Sequence, residues 1–130
     1  MENVTKEVWV FIEQHDGKVA DVSLELLSKG RKLADRLGGV LKSVVLGHNV
    51  KSIAEDTFKY GVNSAILIEN PALEKYRPLP YSRMLNKLVN EHKPRILLFG
   101  ATVVGRGLAP RVASNTMSGL TADCTELKIE

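Results

Sequence analysis

Residues 94–125 read PRILLFGATVVGRGLAPRVASNTMSGLTADCT, and this stretch decides the predicted fold. It opens with an apolar run at residues 96–99, typical of a buried strand, and continues through Gly100, Gly105 and Gly107 into a helix. A strand that ends in a glycine-rich turn at a helix N-terminus is where α/β proteins bind phosphate and other anions. The stretch therefore predicts an α/β protein with a candidate anion site on this turn.

The composition is that of one globular domain with mixed surface charge. A chain of 130 residues fits a single domain, and its 44% hydrophobic content predicts a packed core. The 18 basic and 15 acidic residues are interspersed and leave a formal charge of +3. Nucleic-acid binding favours a clustered basic face with stacking aromatics. Since aromatics are only 5% of the residues, the composition argues against that class of partner.

The compartment is inferred from what the sequence contains. Cys124 is the single cysteine, so an internal disulfide is excluded. The apolar runs are strand-sized and fall short of the roughly 20 residues that span a bilayer. The N-terminal residues lack the pattern of a signal peptide. We therefore expect a cytoplasmic protein without membrane insertion.

Apolar periodicity predicts alternating strands and helices along the whole chain. Strands are predicted at residues 8–12, 40–46, 65–68, 96–99 and 122–129, and a turn at residues 15–18. The first helix has Asp21 or Ser23 as its candidate N-cap and ends at Gly38. Its apolar face includes Gly30, whose expected use is close approach to the sheet. The other members of that face are Leu26, Leu27, Leu33, Ala34 and Leu37.

Three further helices follow. The second carries apolar residues at positions 50, 53, 54, 57 and 58 and ends near Gly61, and the third carries them at 81, 84, 85, 88 and 89. Residues 70–80, which contain three prolines, are expected to form a connecting loop. The fourth helix is expected to begin between Gly105 and Pro110, because proline fits a first turn better than a helix interior.

The predicted architecture is α/β, with three layers around an open, mostly parallel, doubly wound sheet. The apolar runs of strands one, three and four indicate that helices cover both faces. Ligands on such sheets lie beyond the carboxyl ends of the strands. We therefore expect the turn with Gly100, Thr102, Gly105 and Arg106 at that edge, beside Glu13 at the end of strand one.

The turn sequence GATVVGRG at residues 100–107 nearly fits the phosphate-loop pattern GxxxxGK[ST]. Arg106 replaces the lysine that reaches the phosphates, and Gly107 replaces the hydroxyl that binds magnesium. An NTPase is therefore rejected. Two interpretations stay open with equal weight: the turn binds a nucleotide or flavin phosphate without hydrolysis, or its glycines only permit a tight strand-to-helix turn.

Other candidate residues give weaker signals. The helix dipole disfavours a cation such as Arg106 in the first turn of a helix. This suggests that Arg106 meets a bound anion, a redox cofactor or an acidic partner. The alternatives are a solvated side chain or an ion pair with Asp123. Glu13 is expected mainly to face solvent. Cys124 has no histidine close in sequence, so a packing role is favoured over a nucleophile. The three histidines are isolated, which argues against a metal site.

Four stretches together resemble the N-terminal domain of the electron-transfer flavoprotein alpha subunit. They are VWVFIEQHDGK at residues 8–18, GVNSAILIENPALEKY at 61–76, PRILLFGATVVGRGLAPRVA at 94–113 and GLTADCT at 119–125. The first two are weakly specific by themselves, and the last two are specific in combination. The resemblance covers nearly the whole chain.

The resemblance implies a role in electron transfer. Such alpha subunits pair with a beta subunit, and the heterodimer uses FAD to carry electrons between flavin dehydrogenases and a downstream acceptor. The implied fold is Rossmann-like, of the adenine nucleotide alpha hydrolase-like type. Residues 1–130 match the N-terminal α/β domain, whereas the family's FAD-holding C-terminal domain lies beyond the matched region, so the chain alone is expected to bind no flavin.

The candidate cofactor-binding residues come from the glycine turn itself. They are Gly100, Thr102, Gly105, Arg106 and Gly107, and no catalytic or metal-binding residue is expected. The resemblance adds none, because the family's FAD-binding residues have no matching positions in this chain. Two other functions remain open from the sequence. A passive nucleotide-binding module like the universal stress proteins shares the alternating topology, and a small enzyme ranks last because the chain lacks a visible catalytic constellation.

Overall fold

A computed structural model describes residues 5–116, with side chains through residue 112. In chain order its elements are β1 (Glu7–Phe11), β2 (Gln14–His15), β3 (Lys18–Val19), α1 (Asp21–Leu37), β4 (Val40–Gly47), α2 (Lys51–Thr57), β5 (Ser64–Glu69), α3 (Pro78–His92), β6 (Ile96–Leu98) and α4 (Val103–Thr116). Short 3₁₀ turns lie at Phe58–Tyr60 and Pro71–Leu73. The four central strands confirm the strand positions expected within the described residues.

The sheet is parallel and doubly wound, as predicted. Its order is β5-β4-β1-β6, and each neighbouring pair is parallel. Trp9 and Phe11 of β1 pack into one buried cluster with residues of α3 and α4. Val8 and Val10 alternate with them and pack into a second cluster with residues of α1 and α2. Because successive side chains of a strand point to opposite faces, β1 is apolar at every inner position and lies between two helix layers.

Gly30 permits the close approach of α1 to the sheet, which confirms its predicted use. A Cβ atom at this position would lie 2.8 Å from Leu41 Cδ1 and 3.1 Å from Val10 Cγ2. Both of those side chains are fully buried, so little room exists to accept it. At the end of α1, Gly38 has a φ of 67°, the left-handed conformation that glycine adopts without strain.

The predicted start of α1 was wrong in detail. Its N-cap is Ala20, which makes no side-chain capping hydrogen bond, and Asp21 is the first helical residue. The Ser23 hydroxyl is buried and accepts a hydrogen bond from the Glu13 amide at 2.8 Å. Ser23 therefore ties the helix to the end of β1, a tertiary role that its position near a helix start does not reveal.

The segment predicted as a loop at residues 70–80 contains more structure than expected. Asn70 accepts a hydrogen bond from the Ala72 amide and caps the 3₁₀ turn at Pro71–Leu73. Pro78 begins α3, where a missing N–H costs no helical hydrogen bond. The prolines therefore start helical turns here, since the first turn is where proline is tolerated.

The fourth helix also starts earlier than predicted. It begins at Val103 and contains Pro110 in its interior. Phe58, expected on the buried face of the second helix, is 49% exposed, because the chain passes into the 3₁₀ turn before this residue. The strand predicted at residues 122–129 lies outside the described residues.

Candidate functional site

The glycine turn lies at the carboxyl edge of the sheet, as predicted. It follows β6, which pairs with β1, while β4 and β5 lie on the other side of β1. Strands are therefore added on one side of β1 up to β5 and on its other side with β6, and ligands of doubly wound sheets bind at such a switch point. The residues that follow these two strands are Glu13 and Thr102, and they are in direct contact.

A short hydrogen-bonded chain closes the switch point. The Thr102 hydroxyl donates to Glu13 Oε2 at 2.6 Å and accepts from the Gly105 amide at 3.0 Å. Thr102 thereby caps α4 in the manner of an N-cap residue, and the Glu13 carboxylate lies near the positive end of that helix. Glu13 thus bonds a protein hydroxyl, which corrects the expectation that it mainly faces solvent. We name this arrangement the Glu13–Thr102 pair.

Close contacts with backbone or side-chain atoms favour glycine at two positions, Gly100 and Gly105. A Cβ atom on Gly105 would collide with the carbonyl oxygen of Gly100. A Cβ atom on Gly100 would lie 2.7 Å from Val22 Cγ2 and 3.2 Å from Glu13 Oε2. Gly107 has more room, since its Cβ would meet the Tyr76 hydroxyl at 3.3 Å. The steric interpretation of the glycine spacing therefore has direct support at Gly100 and Gly105.

Arg106 has an exposed side chain in the first turns of α4. Its amide donates to the Thr102 carbonyl oxygen at 2.8 Å, which makes it the first residue with an intrahelical hydrogen bond of α type. Asp123, its possible ion-pair partner, lies outside the described residues. The Arg106 side chain is therefore exposed at the carboxyl edge of the sheet, and its ion-pair partner stays a prediction.

A small open cavity adjoins the Glu13–Thr102 pair. Its volume is about 170 Å³, below the roughly 300–1,000 Å³ typical of drug-sized ligand pockets. A flavin dinucleotide is larger than this space, and the carboxylates of Glu13 and Glu74 in its lining disfavour a pyrophosphate. The lining residues come from the ends of β1 and β4, the segment before α3, and the starts of α3 and α4: Phe11, Ile12, Glu13, Gln14, Leu46, Glu74, Tyr76, Tyr81 and Val104.

Tyr76 and Tyr81 form one wall of this cavity. Their ring centroids are 5.1 Å apart in an edge-to-face arrangement. The Tyr81 hydroxyl donates to the Leu73 carbonyl oxygen at 2.6 Å, whereas the buried Tyr76 hydroxyl has no hydrogen-bond partner within residues 5–116. Burial raises the pKa of Tyr76, opposed by Arg111 and reinforced by Glu13. Burial also raises the pKa of Tyr81.

Sequence reasoning missed Glu74 and Tyr76 as site residues. Both lie in the segment that was predicted to be a connecting loop, and no local pattern marks them. Other sites find no support in the described part of the chain, where no group of three or more His, Cys, Asp or Glu side chains could hold a metal ion. The described helices also include none long and apolar enough to cross a membrane.

Comparison with known folds gives a universal stress protein crystallised with cAMP. It matches 88% of this chain with a TM-score of 0.50 and 20% sequence identity, and 92% of that structure is covered. At this identity the likeness shows the fold alone. It confirms the Rossmann-like, adenine nucleotide alpha hydrolase-like architecture.

Sequence comparison is more specific. The electron transfer flavoprotein domain family matches residues 8–130. The alpha subunit of the electron transfer flavoprotein of Thermoanaerobacterium thermosaccharolyticum is 43% identical over 128 residues, covering 98% of this chain and 39% of that protein. Protein FixB of Rhizobium meliloti is 48% identical over 129 residues, with 96% and 36% covered.

A third relative is named for a related role. The acryloyl-CoA reductase electron transfer subunit beta of Anaerotignum propionicum is 44% identical over 128 residues, covering 98% of this chain and 35% of that protein. The chain therefore spans little more than a third of the length of these relatives. Its match to the family nevertheless extends over nearly all of its own residues, and the chain belongs to the electron transfer flavoprotein family.

Proposed function

We propose that this chain is the N-terminal α/β domain of an electron transfer flavoprotein alpha subunit. The assembled protein pairs this subunit with a beta subunit and uses FAD to carry electrons between flavin dehydrogenases and a downstream acceptor. The domain itself is a carrier component without catalysis of its own, acting in the cytoplasm. The observation that carries the proposal is the family match over residues 8–130, together with relatives that are named as electron transfer subunits.

The geometry supports a domain that leaves flavin binding to other parts of the assembly. The cavity at the switch point is about 170 Å³ and contains the Glu13 and Glu74 side chains in its lining. This chain covers only 39% and 36% of the length of two of its relatives. We therefore expect the purified 130-residue chain to be colourless. An absorbance scan that found stoichiometric flavin would contradict this division of labour.

We further propose a role for the turn residues in the assembled protein. Gly100, Thr102, Gly105 and Gly107 form the turn that presents Arg106 at the carboxyl edge, where the cation would lie near the flavin or an acidic partner surface. A positive charge there favours the more anionic reduced flavin or the docked state. The exposure of Arg106 supports this role.

The experiment compares Arg106→Ala with Arg83→Ala, which removes another exposed arginine, from α3. Dipole interactions at a helix N-terminus are worth about 0.3–1 kcal/mol, so the stability of the Arg106→Ala chain should hold or rise slightly. The reconstituted heterodimer should lose electron-transfer rate or flavin potential with Arg106→Ala and keep both with Arg83→Ala. A large fall in melting temperature with unchanged electron transfer would show that Arg106 is structural.

A passive nucleotide-binding module of the universal-stress-protein type is the second candidate. The fold it shares with a protein crystallised with cAMP is the one observation in its favour. The Glu13 carboxylate opposes it, because it lies where the turn and the helix N-terminus would hold a phosphate. Calorimetric titration of the chain with AMP distinguishes the two, and micromolar binding would favour the module over the carrier domain.

A further inference from the structure

The two helix layers of the domain differ in charge. Residues 75–116, which form α3, β6, α4 and their connections, contain eight basic residues and one acidic residue, Glu91. Both helices pack into the same buried cluster on one face of the sheet, whereas α1 and α2 cover the other face. The charges that are interspersed along the whole sequence are therefore divided unequally in the fold. The layer of α3 and α4 has an excess of positive charge, which attracts acidic partners.

Three of these cations lie at the carboxyl edge of the layer. The side chains of Lys75, Arg77 and Arg106 are exposed. A Cβ atom on Gly107 would lie 3.3 Å from the Tyr76 hydroxyl. The segment that contains Tyr76 and both of its basic neighbours therefore lies within one tyrosine side chain of the start of α4. None of the three cations has a salt bridge within the part of the chain that the structure describes.

The acidic groups nearby do not neutralise this cluster. Glu74 is exposed in the same segment, but it forms no salt bridge with a described residue. The Glu13 carboxylate already accepts the Thr102 hydrogen bond at the end of β1. Arg111 adds an exposed positive charge further along α4. Arg106 is also disfavoured by the dipole of its own helix, and an acidic group from outside would offset that effect.

Exposed apolar side chains lie at the same edge. Leu79, in the first turn of α3, is 58% exposed, and Val103, the first residue of α4, is 87% exposed. Tyr81 and Val104 line one cavity, which places the first turns of both helices at the same edge of the sheet. Single exposed apolar side chains need no explanation, but apolar side chains among arginines resemble the centre and rim of a protein interface.

The character of this edge favours a protein over nucleic acid or a membrane. Single-stranded nucleic acids stack on exposed aromatic rings, whereas Tyr76 is partly buried and Tyr81 is buried. A helix that lies on a membrane exposes its whole apolar face, whereas the apolar face of α3 packs against the sheet. The charge and the exposed apolar groups therefore fit an acidic protein surface best.

We propose that this edge docks a protein partner whose contact surface is acidic around an apolar centre. We name it the basic edge and define it by Lys75, Arg77, Leu79, Val103 and Arg106. The inference deepens the role proposed for Arg106 and in that part rests on the proposed function. Because the test measures binding without flavin or electron transfer, the two proposals can fail separately.

The test is an amide NMR titration of the 130-residue chain with a short acetylated peptide in which glutamates flank two central leucines. We expect saturable shifts at the amides of Arg77, Leu79 and Val103, and an affinity that falls as the ionic strength rises. A peptide with serines in place of the leucines should bind about tenfold more weakly, because its apolar burial is lost.

Charge reversal provides the matched comparison. Arg106→Glu should weaken binding about tenfold, since it replaces an attraction with a repulsion. The fold should tolerate this change, because an acid is favourable at a helix N-terminus. Lys32→Glu reverses an exposed charge on α1, in the other helix layer, and should leave the affinity unchanged. Equal affinities in the two variants would overturn the proposal.

Other occupants of the basic edge predict different results. Tighter binding of duplex DNA, or of phosphatidylglycerol vesicles, than of the leucine peptide would overturn the proposal in favour of nucleic acid or a membrane. Equal affinity for the serine peptide would contradict the apolar centre. Binding that appears only after Asp123→Asn would show that an acid of the chain itself occupies Arg106, and would overturn the proposal as well. So would the absence of saturable shifts with the leucine peptide.

Discussion

A single carboxylate organises the carboxyl edge of this domain. The Glu13 carboxylate accepts a hydrogen bond from the Thr102 hydroxyl at 2.6 Å, and the same hydroxyl accepts one from the Gly105 amide at 3.0 Å. The backbone of Glu13 makes two more contacts, since its amide donates to Ser23 Oγ and its carbonyl oxygen accepts from the Ala20 amide. One residue therefore connects β1 with the starts of α1 and α4.

Removal of the Thr102 hydroxyl tests this role. Thr102→Val keeps the volume but loses both hydrogen bonds, so it should lower the free energy of unfolding by about 2 kcal/mol. Thr102→Ser keeps the hydroxyl and is the matched control, with a loss well below that value. Urea denaturation followed by the fluorescence of the buried Trp9 measures both. A loss in Thr102→Val no larger than that in Thr102→Ser would show that the hydroxyl contributes no more to stability than the methyl group does.

Near the start of α4, Gly105 and Gly107 occupy different environments. A Cβ on Gly105 would collide with the backbone oxygen of Gly100, which a side-chain rotation cannot relieve. A Cβ on Gly107 would meet the end of the Tyr76 side chain at 3.3 Å. The start of α4 therefore depends on Gly105 much more than on Gly107.

Alanine substitutions at the two positions should therefore differ in their effect on the free energy of unfolding. Gly105→Ala should lower the free energy of unfolding by about 3 kcal/mol, the upper part of the range for overpacking. Gly107→Ala should be close to neutral, since a gain of about 1 kcal/mol in helix propensity offsets the contact with Tyr76. Chemical denaturation of the two variants provides the measurement. A neutral Gly105→Ala would contradict the backbone clash.

In the molecule as a whole, the contacts of one buried tyrosine help to hold α3 against the sheet. Tyr81 is buried, packs edge-to-face on Phe11, and donates its hydroxyl to the Leu73 carbonyl oxygen. Burial raises the pKa of Tyr81 and of Tyr76 in the folded chain. The folded state therefore keeps these protons at a pH where the unfolded chain loses them.

The sign of the pH dependence follows from this difference. Between the unfolded and folded pKa values the native state binds more protons, so the free energy of unfolding falls as the pH rises above about 10. Tyr81→Phe should be less stable at neutral pH, because it loses the Leu73 bond, and should show a shallower alkaline decline. Denaturation curves at neutral and alkaline pH measure both effects. An equally steep decline in the variant would show that Tyr81 does not contribute to the loss of stability at alkaline pH.

The sequence alone determined the fold class and most element positions. The apolar runs of β1, β4, β5 and β6 predict strands buried under helices, since continuous apolar runs occur where both faces of a sheet are covered. The helical spacing of α1 and the left-handed Gly38 at its end were likewise readable from local pattern. The placement of the glycine turn beside Glu13 followed from the rule that parallel strands share one carboxyl edge.

Only the tertiary structure decided how that edge is built. Glu13 and Thr102 lie 89 residues apart, and nothing in either local sequence specifies their hydrogen bond. That bond and the Gly105 contact let α4 begin at Val103, before the glycines that suggested a later start. The cavity was equally hidden, because Glu74 and Tyr76 reach it from a segment with no distinctive pattern. Periodicity reports which face of its own element a residue occupies, whereas the partners on that face are chosen by the packing of distant elements.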